Sequence, residues 1–194
     1  MEVQPIRDPK KIIAMRELLR EENPRDEVLF ILGINTALRI SDLLSLTLSD
    51  VTDISGKISE EISMKEQKTG KVRSFPLNRV VRESLADWLP RLEANLNASL
   101  FPSQKNGGKA ITRWHARRVL AAAGEAVGLK NIGTHSLRKT FGYHAFMRWK
   151  SIELVQKLLG HSSPAITLRY IGITREEMDT VYLDLNLGEY SPSL

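Results

Sequence analysis

A histidine and an arginine stand one helical turn apart in the segment THSLR, residues 134–138. If Thr134 caps a helix, the side chains of His135 and Arg138 share one face of it. The free N–H groups and the dipole at a helix start favour an anion there, and a guanidinium beside an imidazole can bind a phosphate. The segment therefore fits either a phosphate clamp or a solvated helix start.

A second arginine, Arg39, lies in the apolar stretch TALRISDLL, residues 36–44. Its charge cannot be removed by deprotonation, so it needs a partner, and Asp42 is the candidate within the same stretch. Two interpretations are open. Arg39 and Asp42 form a structural ion pair, or Asp42 steadies Arg39 while the guanidinium faces an anion.

A lysine, Lys68, stands at the tip of the one clear hairpin pattern, residues 58–77. Counting by two from Met64 places Lys68 on the inward face of the strand, unless a bulge intervenes. From there its ammonium group would reach a site at the edge of the core. A solvated turn lysine is the alternative interpretation, and Lys65 and Lys71 are nearby candidates for the same role.

The segment LLGHSSPAITLRYIGI, residues 158–173, contains the last two candidates. Gly160 ends one predicted helix, and His161 begins the link to the next. Tyr170 falls near the end of that next, short helix. A lone tyrosine in this place is typical of packing in a core, so the local pattern does not separate a packing residue from a reactive one.

The residue types exclude several kinds of site. The chain has no cysteine, which excludes disulfides, thiolate metal sites and cysteine nucleophiles. His135 and His144 would lie about half a revolution apart on a helix, so they cannot share a metal. Neither an HExxH nor a GxxxxGK(S/T) motif is present. We predict that His115 and His144 are structural or surface histidines.

The overall composition favours a nucleic-acid partner. A formal net charge of +5 over 194 residues suits polyanionic partners. No apolar run approaches the length of a membrane span, and the N-terminus lacks the apolar segment of a signal peptide. We therefore expect a soluble protein of the cell interior without a membrane partner.

The elements that must position these residues are mainly helical. Apolar periodicity predicts helices from Pro9, Asp26 and Ile40, followed by the hairpin at 58–77. Further helices are predicted from capping residues: Asn78 (reaching toward Leu96), Thr112, Thr134, Ser151, Ser163, and Thr174 with Glu177 as a capping box. No linker divides the chain. The prediction is one α+β domain, mostly helical, with one small antiparallel sheet.

Four of these segments together resemble the catalytic domain of tyrosine recombinases, also called phage integrases. TALRISDLLSLTLSDV is similar to the family's first-arginine segment, KEQKTGKVRSFPL to its lysine hairpin, THSLRKTFGYHAF to its HxxR box, and LLGHSSPAITLRYIGI to its second-histidine and nucleophile segment. Their order and spacing fit from about Lys10 to Leu183. The resemblance implies the phage-integrase catalytic fold over residues 10–187, with an N-terminal extension at 1–9 and a tail at 188–194.

The resemblance also implies an active site. All six of the family's positions carry the expected residue types: Arg39, Lys68, His135, Arg138, His161 and Tyr170. The two arginines would clamp the scissile phosphate, and Tyr170 would attack it. His135 is the family's candidate base, Lys68 its candidate acid, and His161 a hydrogen-bond donor to the phosphate.

The implied activity is site-specific DNA recombination through a 3′-phosphotyrosyl intermediate, without metal, ATP or other cofactor. The implied partner is double-stranded DNA, with a homotetramer assembled on it, in the cytoplasm of a bacterial or phage-infected cell. Two alternatives are a type IB topoisomerase, which relaxes DNA without exchanging partners, and a DNA-binding regulator that uses the scaffold without cleavage.

Three features depart from the family pattern or leave alternatives open. Only about nine residues precede the first predicted helix, where typical relatives carry a DNA-clamping domain, so we expect weaker and more salt-sensitive DNA binding. Lys139 stands where many relatives have a second histidine. An apolar surface near the C-terminus either docks on a neighbouring protomer or packs on its own domain; its residues are Met178, Val181, Tyr182, Leu185 and Leu187.

Overall fold

The computed structural model describes residues 3–53, 55–92, 95–105 and 107–184. Its helices are α1 (Pro9–Glu22), α2 (Pro24–Thr36), α3 (Ile40–Leu44), α4 (Leu48–Val51), α5 (Arg79–Trp88), α6 (Arg113–Ala126), α7 (Thr134–Trp149), α8 (Ile152–Leu159), α9 (Pro164–Ile171) and α10 (Arg175–Asp184), with a 3₁₀ turn at Leu89–Arg91. Strands β1 (Glu61–Lys65) and β2 (Val72–Pro76) pair antiparallel. The predicted class, mostly helical α+β with one small sheet, is confirmed.

Helix starts follow the predicted capping chemistry at most positions. The side chains of Asn78, Thr112, Ser151 and Ser163 each accept a hydrogen bond from a backbone N–H in the first turn that follows. The predicted cap at Thr134 is wrong, because Gly133 occupies the cap position and its N–H donates to the Ser136 hydroxyl. His135 and Arg138 still lie one turn apart at the start of α7.

The helix that begins after Asn78 is shorter than the pattern toward Leu96 predicted. The α-helix ends at Trp88 and tightens into the 3₁₀ turn Leu89–Arg91. Pro90 explains this end, because a proline inside an α-helix lacks the N–H that the helical ladder requires. The indole N–H of Trp88 donates to the carbonyl of Leu100, and this hydrogen bond fixes the following loop to α5.

The centre of the fold is α2, which is buried on nearly all sides. The consecutive residues from Val28 to Leu32 are each at most 2% exposed, and α2 packs against α1, α5 and α7. A helix that is apolar all round belongs in a core. Its C-terminal end, at Thr36 and Ala37, is also buried, and Arg39 follows two residues later.

A second, smaller core lies under the segment that carries Tyr170. It joins α7, α8 and α9 through Tyr143, Val155, Leu159 and Ile171. The helices approach closely at Gly142, where an added Cβ would lie 2.7 Å from Ile171 Cγ2. A glycine here therefore lets α9 lie against α7.

Among the described residues, no helix combines the length and the apolar composition that a membrane span requires.

Candidate active site

Arg138 connects two helix ends at the centre of the candidate site. Its side chain is 4% exposed, and its guanidinium donates to the carbonyls of Ala37, after α2, and of Leu159, at the end of α8. Carbonyls at helix C-termini carry partial negative charge and favour a cation. The planar fork of the arginine serves both at once, so Arg138 is fixed in orientation before any substrate binds.

Arg39 caps α3 and contacts the hairpin. Its Nη1 lies 3.3 Å from Oε2 of Glu66, directly after β1. The expectation that Asp42 is its partner is wrong, because the ion pair of Arg39 is with Glu66. Asp42 is fully buried and accepts a hydrogen bond from the backbone N–H of Gln67 at 3.0 Å, while its Oδ2 has no hydrogen-bond partner. Asp42 thus fixes the hairpin turn against α3.

A third arginine, Arg73 on β2, belongs to the same cluster and escaped the sequence reasoning. Its Nη1 lies 3.6 Å from Oε1 of Glu66, and its Nη2 donates to the carbonyl of Thr36 at 3.1 Å. Burial raises the pKa of Glu66, but the hydroxyl of Thr69 and the charges of Arg39 and Arg73 outweigh burial and hold the pKa below its ordinary value. The carboxylate therefore stays charged between the two guanidiniums. The sequence offers one signal for this arrangement, the acidic residue Glu66 two positions before Lys68.

Tyr170 lies beside the arginines, half-buried on α9. Its ring centroid is 4.9 Å from that of His161 in an edge-to-face arrangement, and Nζ of Lys139 lies 5.3 Å from the Tyr170 ring centroid. Burial raises the pKa of the phenol, and the charges of Arg138 and Arg39 oppose that rise. Burial outweighs these charges, so the pKa of Tyr170 stays above its ordinary value and the free phenol keeps its proton near pH 7.

The two candidate histidines both lie close enough to Arg138 for its charge to act on them. Burial, followed by the charges of Arg138 and Arg39, lowers the pKa of His161, whose Nδ1 lies 3.2 Å from Oγ1 of Thr167. Burial also lowers the pKa of His135, and the charge of Arg138 acts in the same direction. Both imidazoles are therefore neutral near pH 7, the form that accepts a proton.

The remaining histidines have structural contacts, as predicted. Nε2 of His144 lies 2.9 Å from the carbonyl oxygen of Ile6, and Nε2 of His115 lies 3.1 Å from Nη2 of Arg25. Neither side chain faces the cluster around Tyr170 in these contacts. Within the described ranges, no group of three or more His, Asp or Glu side chains has the arrangement that a metal ion needs.

Lys68 has the solvated turn position, which was the alternative interpretation, and not the inward orientation. Strand β1 ends at Lys65, so the alternation that places Ile62 and Met64 inward stops before Lys68 is reached. Lys68 lies exposed in the hairpin turn. The structure thus brings together Arg39, Arg138, His161 and Tyr170, with His135 at the edge, and holds Lys68 outside this group on a turn that Gln67 ties to α3.

Comparison with known proteins identifies the family of this chain. The sequence profile of the phage integrase family matches residues 8–177. The chain is 42% identical over 180 residues to the probable integrase/recombinase YoeC of Bacillus subtilis (strain 168), covering 93% of this chain and 95% of that protein. It is 31% identical to the tyrosine recombinase XerD of Corynebacterium glutamicum, covering 81% of this chain and 51% of the relative.

Solved structures share the fold. The crystal structure of XerA recombinase superposes with a TM-score of 0.73 at 20% identity, over 95% of this chain and 66% of that one. The XerH site-specific recombinase bound to a palindromic difH substrate, a post-cleavage complex, gives a TM-score of 0.72 at 24% identity, over 90% of this chain and 51% of that one. The chain spans nearly all of YoeC and about half of the XerD relative. It belongs to the phage integrase family of tyrosine recombinases.

Proposed function

We propose that this chain is the catalytic part of a site-specific DNA recombinase that cuts and rejoins one DNA strand at a time through Tyr170. The observation that carries the proposal is the convergence of Arg39, Arg138, His161 and Tyr170. These residues come from three segments far apart in the sequence, yet the charges of both arginines act on Tyr170 and on His161. A core tyrosine with only a packing role has no need of two cations and an imidazole.

The chemistry follows from the groups present. The phenol oxygen attacks the scissile phosphorus, forming a 3′-phosphotyrosyl bond as the bond to the 5′-oxygen breaks. Negative charge builds on the non-bridging oxygens, where Arg39 and Arg138 stabilise the transition state more than the ground state. The phosphodiester energy is kept in the new bond, so the reverse attack by a 5′-hydroxyl rejoins the strand. On this account neither ATP nor a metal ion takes part.

Two proton transfers accompany the cleavage. His135, neutral at the edge of the cluster, is the proposed base for the phenol proton. Lys68 is the proposed acid for the leaving 5′-oxygen, and its exposure on the hairpin turn, two residues after Glu66, supports access to bound DNA. A substrate with a 5′-bridging sulfur needs no acid. We expect Lys68→Ala to slow cleavage of ordinary DNA and to leave cleavage of the sulfur substrate unchanged; equal slowing of both would reject this role.

A basic surface next to the site suits double-stranded DNA. Arg113 and Arg117 are exposed on α6, and Trp114 between them is 75% exposed. The charge of Arg113 acts on His135, so this surface adjoins the catalytic cluster. Contacts from such cations to the phosphate backbone give affinity that falls steeply with salt.

The assembly on DNA is proposed to be a homotetramer that exchanges its C-terminal segments. The described start of α10 packs on its own domain, because the Tyr143 hydroxyl donates to Oε1 of Glu177 at 2.9 Å. Further along α10, Tyr182 is 84% exposed and Leu183 76% exposed. These positions support docking on a neighbouring protomer. The other residues named for this surface, Leu185 and Leu187 and the side chains of Met178 and Val181, lie outside the described residues.

The test uses a library of nicked DNA duplexes. After cleavage near the nick, the short cut fragment diffuses away, so the strand cannot be rejoined and the covalent intermediate is trapped. Wild type should form a protein–DNA adduct, and Tyr170→Phe should form none. An adduct that persists in Tyr170→Phe would reject Tyr170 as the nucleophile, and its absence in wild type would favour the non-cleaving regulator. Exchange between two duplexes, measured against relaxation of a single supercoiled plasmid, separates a recombinase from a type IB topoisomerase.

A further inference from the structure

The segment before α1 packs into the fold as an extended strap. This strap, residues 3–8, has no regular secondary structure. The side chain of Ile6 is fully buried in the main core, and its backbone N–H donates to Oγ1 of Thr140 on α7 at 2.8 Å. The Ile6 carbonyl lies 2.9 Å from Nε2 of His144 on the same helix. Both polar groups of the Ile6 backbone are thus satisfied by α7, and the strap has a fixed register on it.

Arg7 reaches from this strap to the end of the helix that carries Tyr170. Its Nη2 donates to the carbonyl of Gly172, which caps the C-terminus of α9 in the left-handed conformation (φ 75°). Its guanidinium carbon lies 5.4 Å from the ring centroid of Tyr143. A Cβ added to Gly172 would lie 3.4 Å from Nη2 of Arg7, so the approach is close. A cation on the last carbonyls of a helix complements its dipole.

The position of Gly172 matters because Tyr170 stands two residues earlier, in the last turn of α9. An attacking oxygen must be aligned with the leaving group, and a displacement of about 1 Å can slow such a step by about 100-fold. The helix α9 has only eight residues, so few of its own hydrogen bonds resist a shift. Its end is therefore held largely by contacts with other segments.

We propose that residues 3–8 are part of the catalytic unit and that Arg7 is a positioning residue, which holds the C-terminal end of α9 and thereby the phenol of Tyr170. This inference rests on the proposed function of Tyr170. Arg7 acts through the Gly172 carbonyl and not on the phosphate. The side chain bridges three parts of the fold, the strap, α7 and the end of α9, whose relative position decides where the Tyr170 ring points.

The test compares wild type with Arg7→Ala and Arg7→Lys, and uses Arg79→Ala as the control. Arg79 is an exposed arginine that forms an ion pair with Glu83 on α5. The first measurement is hydrogen exchange of the free protein. We expect peptides covering residues 164–173 to exchange about tenfold faster in Arg7→Ala, and peptides from α2 to be unchanged, because local opening depends on local contacts.

The second measurement is the rate constant of adduct formation at saturating nicked DNA, together with the dissociation constant. We expect Arg7→Ala to lower the rate constant about tenfold or more, with DNA affinity unchanged, and Arg7→Lys to restore part of the rate because an ammonium can also donate to a carbonyl.

Unchanged exchange in α9 would overturn the proposal whether or not the protein cleaves DNA. Weaker DNA binding with an unchanged rate constant would also overturn it, in favour of a DNA contact. If wild type forms no adduct but hydrogen exchange in α9 is faster in Arg7→Ala, the proposed function is rejected. The role of Arg7 in holding the end of α9 is then still supported.

Discussion

The Nη1 atom of Arg39 lies 3.3 Å from Oε2 of Glu66, and the same carboxylate also faces Nη1 of Arg73 at 3.6 Å. A carboxylate therefore occupies the position between two guanidiniums in which a phosphate would be attracted. We expect it to keep the arginines in place when no DNA is bound and to compete with the phosphate when DNA arrives. Substitution of Glu66 separates these two effects.

Glu66→Gln keeps the shape of the side chain and removes its charge. The repulsion between this charge and a DNA phosphate is worth about 1 kcal/mol in a water-like dielectric, so we expect duplex DNA to bind about fivefold more tightly at low salt. Fluorescence anisotropy with a short labelled duplex measures this. Glu83→Gln, which removes the partner of an exposed arginine on α5, should change the affinity little. Unchanged or weaker binding by Glu66→Gln would contradict competition with phosphate.

Arg138→Lys tests the need for a forked cation. A lysine keeps the charge but cannot serve the carbonyls of Ala37 and Leu159 in the same geometry. A buried carbonyl left without a donor costs about 1–3 kcal/mol of unfolding free energy. Cleavage should fall about 100-fold or more, because the transition state loses an oriented donor. Urea denaturation and the nicked-substrate assay measure the two effects, with the exposed Arg148→Lys as control; wild-type values for both quantities would refute the assignment.

Gly142→Ala tests the contact between α7 and the helix of Tyr170. The new Cβ would lie 2.7 Å from Ile171 Cγ2 and 3.1 Å from Leu159 Cδ1, so α9 must shift. We expect the unfolding free energy to fall by about 1–3 kcal/mol. We also expect the cleavage rate to fall by more than this loss of stability explains. Gly124→Ala is the matched control, because its Cβ would meet Ile132 at 2.8 Å, away from α9. Gly124→Ala should lower the stability and leave the cleavage rate unchanged. Equal loss of cleavage by both variants would show that stability, and not position, is responsible.

The pH profile tests His135 as the base. Burial, with the charges of Arg138, Lys139 and Arg113, holds the pKa of His135 below its ordinary value. Lowering the pH protonates the imidazole and removes the base, so the second-order rate of adduct formation should stay flat down to pH about 6.5 and fall below it. His135→Ala should lower the rate and flatten this acidic limb, and His115→Gln should leave it intact. A midpoint above pH 7 would contradict a lowered pKa.

Sequence reasoning succeeded where short stretches of chain decide the structure. Ser163 followed by Pro164 specifies a helix start by itself, and the alternation of Ile62 and Met64 specifies which face of the hairpin is buried. It left the orientation of Lys68 open, because the residue at which a strand ends depends on turn hydrogen bonds that alternation does not show. The hairpin turn is anchored by Asp42, whose role as a backbone acceptor has no local signature.

The sequence named Arg39, Arg138, His161 and Tyr170 as candidate site residues, but it did not indicate the contacts among them or the part of Arg73. The four segments carry the residue types of the family, but nothing local to Arg39 indicates that Glu66, 27 residues away, is its partner. The contact of Arg7 with Gly172 spans 165 residues, and no periodicity or spacing reports such a contact. These interactions arise from how α2, α7 and α9 pack, which a sequence pattern of a few residues does not contain.

The most direct test of the account is to map the residue that carries the covalent bond. Trypsin should release Tyr170 in the peptide YIGITR, residues 170–175, apart from the other three tyrosines of the chain. After trapping on nicked DNA, nuclease treatment and digestion, mass spectrometry should find a nucleotide attached to this peptide alone. A nucleotide on a peptide that contains Tyr143 or Tyr182, with none on residues 170–175, would contradict the central claim.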